Sequence, residues 1–167
     1  MRRAFLFTAV VSLAAVAAAA VSQHRFGMQP CAWCVLQRLV FVLMALLSLA
    51  GALLASRRPT GALMAGLGVV ALAQAGVAAA AWQHWVAAQS ESCWLTWADR
   101  VMDFTTLDRL LPELFQARAS CAEAKVQLWG LPYEAWSGLL FAGLGLYAAW
   151  LVLGRRRPTT TVQPSKP

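Results

Sequence analysis

The sequence predicts an all-α fold, a polytopic membrane four-helix bundle with an external loop that carries short amphipathic helices. Three observations predict it. Hydrophobic residues make up 60% of the 167 and charged residues only 13%, a composition outside the range of soluble domains. Four apolar runs each approach the roughly 20 residues a helix needs to cross a bilayer. All seven acidic residues (Glu91, Asp99, Asp103, Asp108, Glu113, Glu123 and Glu134) fall in one stretch before the last run. These observations give a single four-span domain over residues 1–157. Its spans lie at about 4–21, 35–55, 61–81 and 135–153, its loops at 22–34 and 82–134, and a polar tail at 158–167. Four such runs also argue against a secreted soluble protein with an apolar leader.

The first run is broken only by Thr8 and Ser12 and is preceded by Arg2 and Arg3. The alanines at 17–20 offer small-residue cleavage sites, but the run is long for the core of a signal peptide. It is therefore expected to stay as a span, and the residues after it lie outside in either case. Residues 22–30 form a short loop with His24, Arg25 and Gly27.

The chain then reads Pro30-Cys31-Ala32-Trp33-Cys34-Val35-Leu36-Gln37-Arg38. A helix beginning at Pro30 would place the proline where its missing N–H costs nothing. Cys31, Cys34 and Arg38 would then share one face, at spacings of i+3 and i+4. The positive end of the helix dipole and the Arg38 guanidinium both favour thiolate over thiol, and the thiolate is the reactive form. Arg38 also lies just inside the second span, and an arginine there usually has a partner or a task.

Ser56, Arg57, Arg58, Pro59 and Thr60 make a tight basic turn. The third span is rich in small residues, and Gly61, Ala65, Gly66 and Gly68 allow close helix contact. Gln74, its polar interior residue, is expected to make an interhelical hydrogen bond. Trp82, Gln83, His84 and Trp85 mark the membrane interface. In the long loop, Trp94, Trp97, Val101 and Phe104 recur at helical spacing. Their apolar face either lies on the membrane surface or packs on the bundle. A second short helix over 105–115 is expected, capped by Thr105 or Thr106 and broken at Pro112. Trp136 stands at the outer end of the fourth span, and Tyr147 and Trp150 stand toward its inner end.

Arg2, Arg3, Arg57, Arg58, Arg155, Arg156, Arg157 and Lys166 all fall on one side of this topology, with no acids among them. By the positive-inside rule that side is cytoplasmic, so both termini are inside and all four cysteines are at or beyond the outer face. The net charge of +7 is thus a topology signal. No Lys/Arg stripe is interleaved with aromatics, so no nucleic-acid partner is expected. The Pro/Thr-rich tail is expected to be disordered.

Four cysteines outside a membrane support disulfides, and four allow three pairings. The near pair Cys31/Cys34 fits a redox-active C-x-x-C. That leaves Cys93 and Cys121, with 27 residues between them. Two purely structural bridges in a non-enzymatic membrane protein are the alternative. A metal is not expected, because a second C-x-x-C is lacking and the compartment is oxidising. Thiol–disulfide exchange can carry an electron pair from the loop bridge to the bridge at the membrane edge. Electrons arriving there need a lipid-soluble acceptor. A quinone fits, with Arg38 stabilising negative charge that develops on its oxygen.

The stretch Cys31-Ala-Trp-Cys34-Val-Leu-Gln-Arg38 resembles the active stretch of the disulfide bond formation protein B (DsbB) family. Ser120-Cys121-Ala122-Glu123, followed by Trp129-Gly130-Leu131-Pro132 and Trp136, is similar to that family's second loop leading into its last span. The resemblance covers residues 1–153, by four spans and four cysteines in order. It departs from the family pattern just before Trp136. A vitamin K epoxide reductase type of bundle would carry the two cysteine pairs in the reverse order.

The resemblance implies a quinone-dependent protein-disulfide oxidoreductase of the bacterial inner membrane, with a periplasmic loop. Its partner would be a DsbA-like periplasmic thioredoxin-fold protein, and its cofactor ubiquinone or menaquinone. Disulfides Cys31–Cys34 and Cys93–Cys121 are implied. Cys93 would take the mixed disulfide with the partner, Cys121 would exchange with Cys31, and Cys34 would meet the quinone. Arg38 would supply the cation of the quinone site, and His84 is a further candidate there.

Overall fold

Four long helices carry the fold: α1 (Arg2–Phe26), α2 (Ala32–Leu54), α3 (Pro59–Trp85) and α7 (Tyr133–Gly154). They are 22 to 27 residues long. At about 1.5 Å per residue each can cross the roughly 30 Å of bilayer hydrocarbon. All four are apolar enough to do so. Between α3 and α7 lie α4 (Trp97–Thr105), α5 (Leu107–Leu110), α6 (Pro112–Phe115), β1 (Gln127–Leu128) and β2 (Leu131–Pro132). The computed structural model describes residues 1–56, 58–87, 97–120, 123–124, 126–128 and 130–154. Cys93, Cys121 and the bridge expected between them lie outside the described residues. So do Arg57, Trp94, Trp129, the basic cluster 155–157 and the tail 158–167.

The helices run past the apolar spans. α1 does not stop at residue 21, because no helix breaker occurs until Gly27. That glycine adopts the left-handed conformation (φ 65) and returns its N–H to the Ser22 carbonyl, a common helix ending. Pro59 occupies the first turn of α3, where proline is tolerated. At its other end α3 continues to Trp85. Gln83 and His84 therefore sit on a helical turn rather than in a loop.

α1 packs on α2, α2 on α3 and α3 on α7. An edge contact between Phe7 and Tyr147, at 5.5 Å, joins α1 to α7. At the centre the rings of Phe41 and Phe141 stack at 3.9 Å and 10°, and Met44, Val69 and Ala73 fill in around them. Gly76 makes this packing possible: a Cβ there would stand 2.5 Å from the Phe141 ring. The outward faces are apolar, with Leu46, Leu53, Met64 and Leu146 exposed, as suits contact with lipid. Gln74 lies on this exposed face, not in the bundle interior where the sequence pattern puts it. Among the described residues, the amides that bond between the long helices are Gln23, Gln37 and Gln83 instead.

Phe5 meets Gly51, and Val152 meets Gly66, so the first and last helices bring both ends of the described chain to one end of the bundle. Exposed Arg2, Arg3 and Arg58 belong to that end. The cysteine pair, the loop elements, Trp82 and Trp85 belong to the other. There Ala98, Met102 and Phe115 form a buried cluster with Cys31, Trp33 and Leu36. α4 thus packs on the bundle through Ala98 and Met102, while Trp97 and Phe104 of the predicted apolar stripe face outward. Thr106 stands at the N-cap position of α5 but makes no side-chain cap bond, and the chain breaks at Leu111 before Pro112, as the proline requires. The hairpin β1–β2 is not signalled by the sequence. It pairs Gln127 with Pro132 and Leu128 with Leu131, and two-residue strands are too short to show alternation. Trp136 holds it to α7 by donating Nε1–H to the Leu128 carbonyl at 3.2 Å.

Candidate active site

The helix at the cysteine pair starts two residues later than the sequence suggests, at Ala32 rather than Pro30. Cys31, not a residue before Pro30, is the N-cap of α2, with extended backbone (φ −85, ψ 171). An extended N-cap residue can turn its side chain back onto the first turn. The Cys31 sulfur does so, accepting the Cys34 N–H at 3.4 Å. Pro30 stays outside the helix, and its carbonyl accepts the backbone N–H groups of Arg118 and Ala119 at 2.9 and 3.3 Å.

The two sulfurs stand 3.0 Å apart, beyond the roughly 2.05 Å of a closed disulfide. They are juxtaposed without a bond between them. Their surroundings differ. Cys31 is fully buried under the loop helices, whereas Cys34 is partly exposed and lines a cavity.

Arg38 lies one turn below Cys34 and is 6% exposed. One guanidinium nitrogen donates to Gln23 Oε1 at 2.8 Å and to the Leu114 carbonyl at 3.0 Å. The other donates to the Ala19 carbonyl at 3.3 Å. All these acceptors are neutral, and among the described residues no carboxylate pairs with it. The guanidinium lies within electrostatic reach of Cys34, Cys31 and Tyr133. It fastens α1, α2 and α6 together and stands at the cavity wall. Besides Cys31, Gln83 touches the Cys34 sulfur directly, its Nε2–H donating to it at 3.2 Å.

The cavity has a volume of about 300 Å³, at the lower end for small-molecule sites. Alanines of α1, together with Phe41 and Leu140, make its apolar walls. Its polar end gathers Cys34, Gln37, Arg38, Gln83 and Glu134. An apolar slot with donors and a cation at one end suits a flat ring that carries polar oxygens and an apolar tail. Such a ring would receive hydrogen bonds at its oxygens and lie against a sulfur.

Of the site residues expected from sequence, Cys34 and Arg38 line this cavity and Cys31 adjoins it. His84 does not line it. Its Nδ1 meets Glu134 Oε1 at 3.0 Å, and the buried Glu134 forms part of the wall. Gln37, Gln83, Glu134 and Ser137 are site residues that the sequence reading missed. A signal for Gln37 existed, since it lies within the second apolar run and polar side chains at membrane depth mark functional positions.

The chain is also similar in sequence to known proteins. Residues 1–151 match the family model described as Disulfide bond formation protein DsbB. The chain is 32% identical over 151 residues to Disulfide bond formation protein B 2 of Pseudomonas syringae pv. syringae, covering 87% of this chain and 85% of that protein. It is 32% identical over 152 residues to Disulfide bond formation protein B of Dechloromonas aromatica, covering 87% and 88%. It is 28% identical over 158 residues to the protein of the same name from Methylobacillus flagellatus, covering 93% and 95%.

Proposed function

The chain belongs to the disulfide bond formation protein B family, and on that footing we propose that it is a quinone-dependent protein-disulfide oxidoreductase. It acts in the bacterial inner membrane and reoxidises a periplasmic DsbA-like dithiol protein. One observation carries the reading: two adjacent sulfurs have opposite surroundings. Cys31 is sealed beneath the loop, and Cys34 faces an apolar cavity beside a buried arginine. A purely structural bridge has no need of that asymmetry.

The steps balance as thiol–disulfide exchanges. A thiolate of the reduced partner attacks Cys93 of a Cys93–Cys121 bridge and releases Cys121. The partner's second thiol displaces Cys93, so the partner leaves oxidised and both loop cysteines are reduced. Cys121 then attacks Cys31 of a Cys31–Cys34 bridge and frees Cys34 as thiolate on the cavity wall. Attack by Cys93 on Cys121 restores the loop bridge and leaves Cys31 reduced. The pair of electrons now rests on Cys31 and Cys34. Two backbone bonds favour the central exchange, because Arg118 and Ala119 are tied to the Pro30 carbonyl, next in sequence to Cys31. Cys121 comes two residues after Ala119.

Ubiquinone or menaquinone, when bound, supplies a lipid-soluble acceptor for two electrons and two protons. Around that acceptor the chain's own groups have distinct tasks. Cys34 presents the reacting sulfur. Arg38, on the cavity wall, would supply a cation that stabilises negative charge developing on the acceptor. Glu134 Oε1 and His84 Nδ1 hold a proton between them at the wall. The apolar walls exclude water. Exposed Arg2, Arg3 and Arg58 at the opposite end support cytoplasmic termini and a periplasmic cysteine end.

The partner step is tested by acid-trapping with a DsbA-like protein whose resolving cysteine is replaced. The expected product is a single mixed disulfide at Cys93. Trapping at Cys31 or Cys34 would overturn the order of the relay, and failure to trap any cysteine would reject the partner.

A further inference from the structure

We propose that Gln83 is a catalytic hydrogen-bond donor to the Cys34 sulfur, aimed by Gln37 and Ser137, and that this chain of side chains sets the reduction equilibrium of the Cys31–Cys34 pair. The proposal rests on the redox role proposed for that pair.

A side-chain amide has one accepting end and one donating end. Gln83 Oε1 accepts Gln37 Nε2–H at 2.7 Å, so its nitrogen is turned to Cys34 Sγ at 3.2 Å. Gln37 Oε1 in turn accepts the Ser137 hydroxyl. The chain therefore runs from α7 through α2 to α3 and returns to α2, and each donor points toward the sulfur. Gln37 and Gln83 are each 4% exposed. No bulk water replaces a broken link there, and a misaligned amide would leave two groups unsatisfied.

A reversed chain is also self-consistent. Gln83 Oε1 would then face the sulfur, Gln37 would donate to Ser137, and Ser137 would donate to the Glu134 carbonyl, which lies 2.9 Å from its hydroxyl. That polarity suits only a protonated sulfur, because only S–H can donate to an amide oxygen. The direction the structure holds suits an accepting sulfur. It favours a thiolate most, since hydrogen bonds to charged groups are the stronger ones. The other titratable or charged groups about this sulfur are Cys31, Arg38, Tyr133 and Glu134, with His84 behind Glu134. None of them is altered by substitutions at Gln83, Gln37 or Ser137.

The full-length protein carrying Cys93→Ser and Cys121→Ser, in detergent and freed of quinone, is equilibrated with glutathione. Two glutathione thiols reduce the bridge to two thiols and form one glutathione disulfide, so the ratio of forms gives the constant. Gln83→Met keeps the volume and removes the donor. It is expected to make reduction about tenfold less favourable, about 30 mV for this two-electron couple. Gln37→Met and Ser137→Ala, which act only through orientation, are expected to shift it about threefold in the same direction. Ser137→Thr keeps the hydroxyl and should stay within about twofold of the parent. Constants for Gln83→Met and Gln37→Met within about twofold of the parent would overturn the proposal. If Gln83→Met does not accumulate, Gln37→Met and the Ser137 pair decide it. A parent protein that does not titrate with glutathione would instead reject the redox role itself.

Discussion

Arg38, buried in the second membrane helix, donates to the Leu114 carbonyl of the long loop at 3.0 Å. The same nitrogen holds Gln23 of the first helix at 2.8 Å. The cation of the proposed quinone site is therefore also the clamp that seats α6 over Cys31. Arg38→Lys keeps the charge and loses the fork. KM for quinone should rise about tenfold, with a smaller change in kcat. Arg38→Met also takes the donor from buried Gln23 Oε1 and releases the Leu114 carbonyl, and it should lower stability in detergent by about 2–3 kcal/mol. Steady-state kinetics and thermal unfolding check both. An unchanged KM in Arg38→Lys would remove the guanidinium from the site.

Ser120 and Glu123 form a reciprocal cap. Glu123 Oε2 accepts the Ser120 N–H at 3.0 Å and its hydroxyl at 2.8 Å, while the Ser120 hydroxyl accepts the Glu123 N–H at 3.2 Å. The Ser120 backbone N–H, then its hydroxyl, hold the Glu123 carboxyl below its ordinary value of 4.5. A carboxyl depressed on folding adds stability above its unfolded value and loses it as pH falls through the folded one. The turn should therefore be fully held at neutral pH, begin to loosen as pH falls below the ordinary carboxylate value, and lose this support once pH has passed below the depressed folded one. Hydrogen exchange at the Ser120 amide should show that onset, and Glu123→Gln should abolish it. Equal pH dependence in Glu123→Gln would show the cap to be idle.

Gly76 leaves room for the Phe141 ring, which stacks on Phe41. Gly76→Ala must displace that ring and part α3 from α7. It should cost about 1–3 kcal/mol, seen as a lower melting temperature in detergent. A melting temperature equal to the parent's would show that the stack is free to shift.

The spans, the cysteine spacing and the buried arginine are legible in the sequence because each is a departure from background: apolar runs, two sulfurs three apart, a charge within a span. The glutamines are not. Gln74 and Gln83 both look like polar residues in or beside one apolar run. They lie nine residues apart, about two and a half turns at 3.6 residues each, and so point to opposite sides of α3. Packing alone decides which side is inside, and it selects Gln83. Its position past the last apolar residue makes it read as interface. His84 is legible as an outer-end polar residue, but not its place behind Glu134, since that contact joins residues 50 apart in sequence. The cap at Cys31 is hidden because proline beside a helix start fits either side of the boundary.

Whether Cys34 is the sulfur that hands electrons to the membrane is read from quinone absorbance in membranes after addition of reduced DsbA-like protein, comparing the parent with Cys34→Ser. In the parent, quinone reduction should keep step with partner oxidation. In Cys34→Ser there should be none, while Cys93 still forms the mixed disulfide. Quinone reduction at the parental rate without the Cys34 sulfur would contradict the relay.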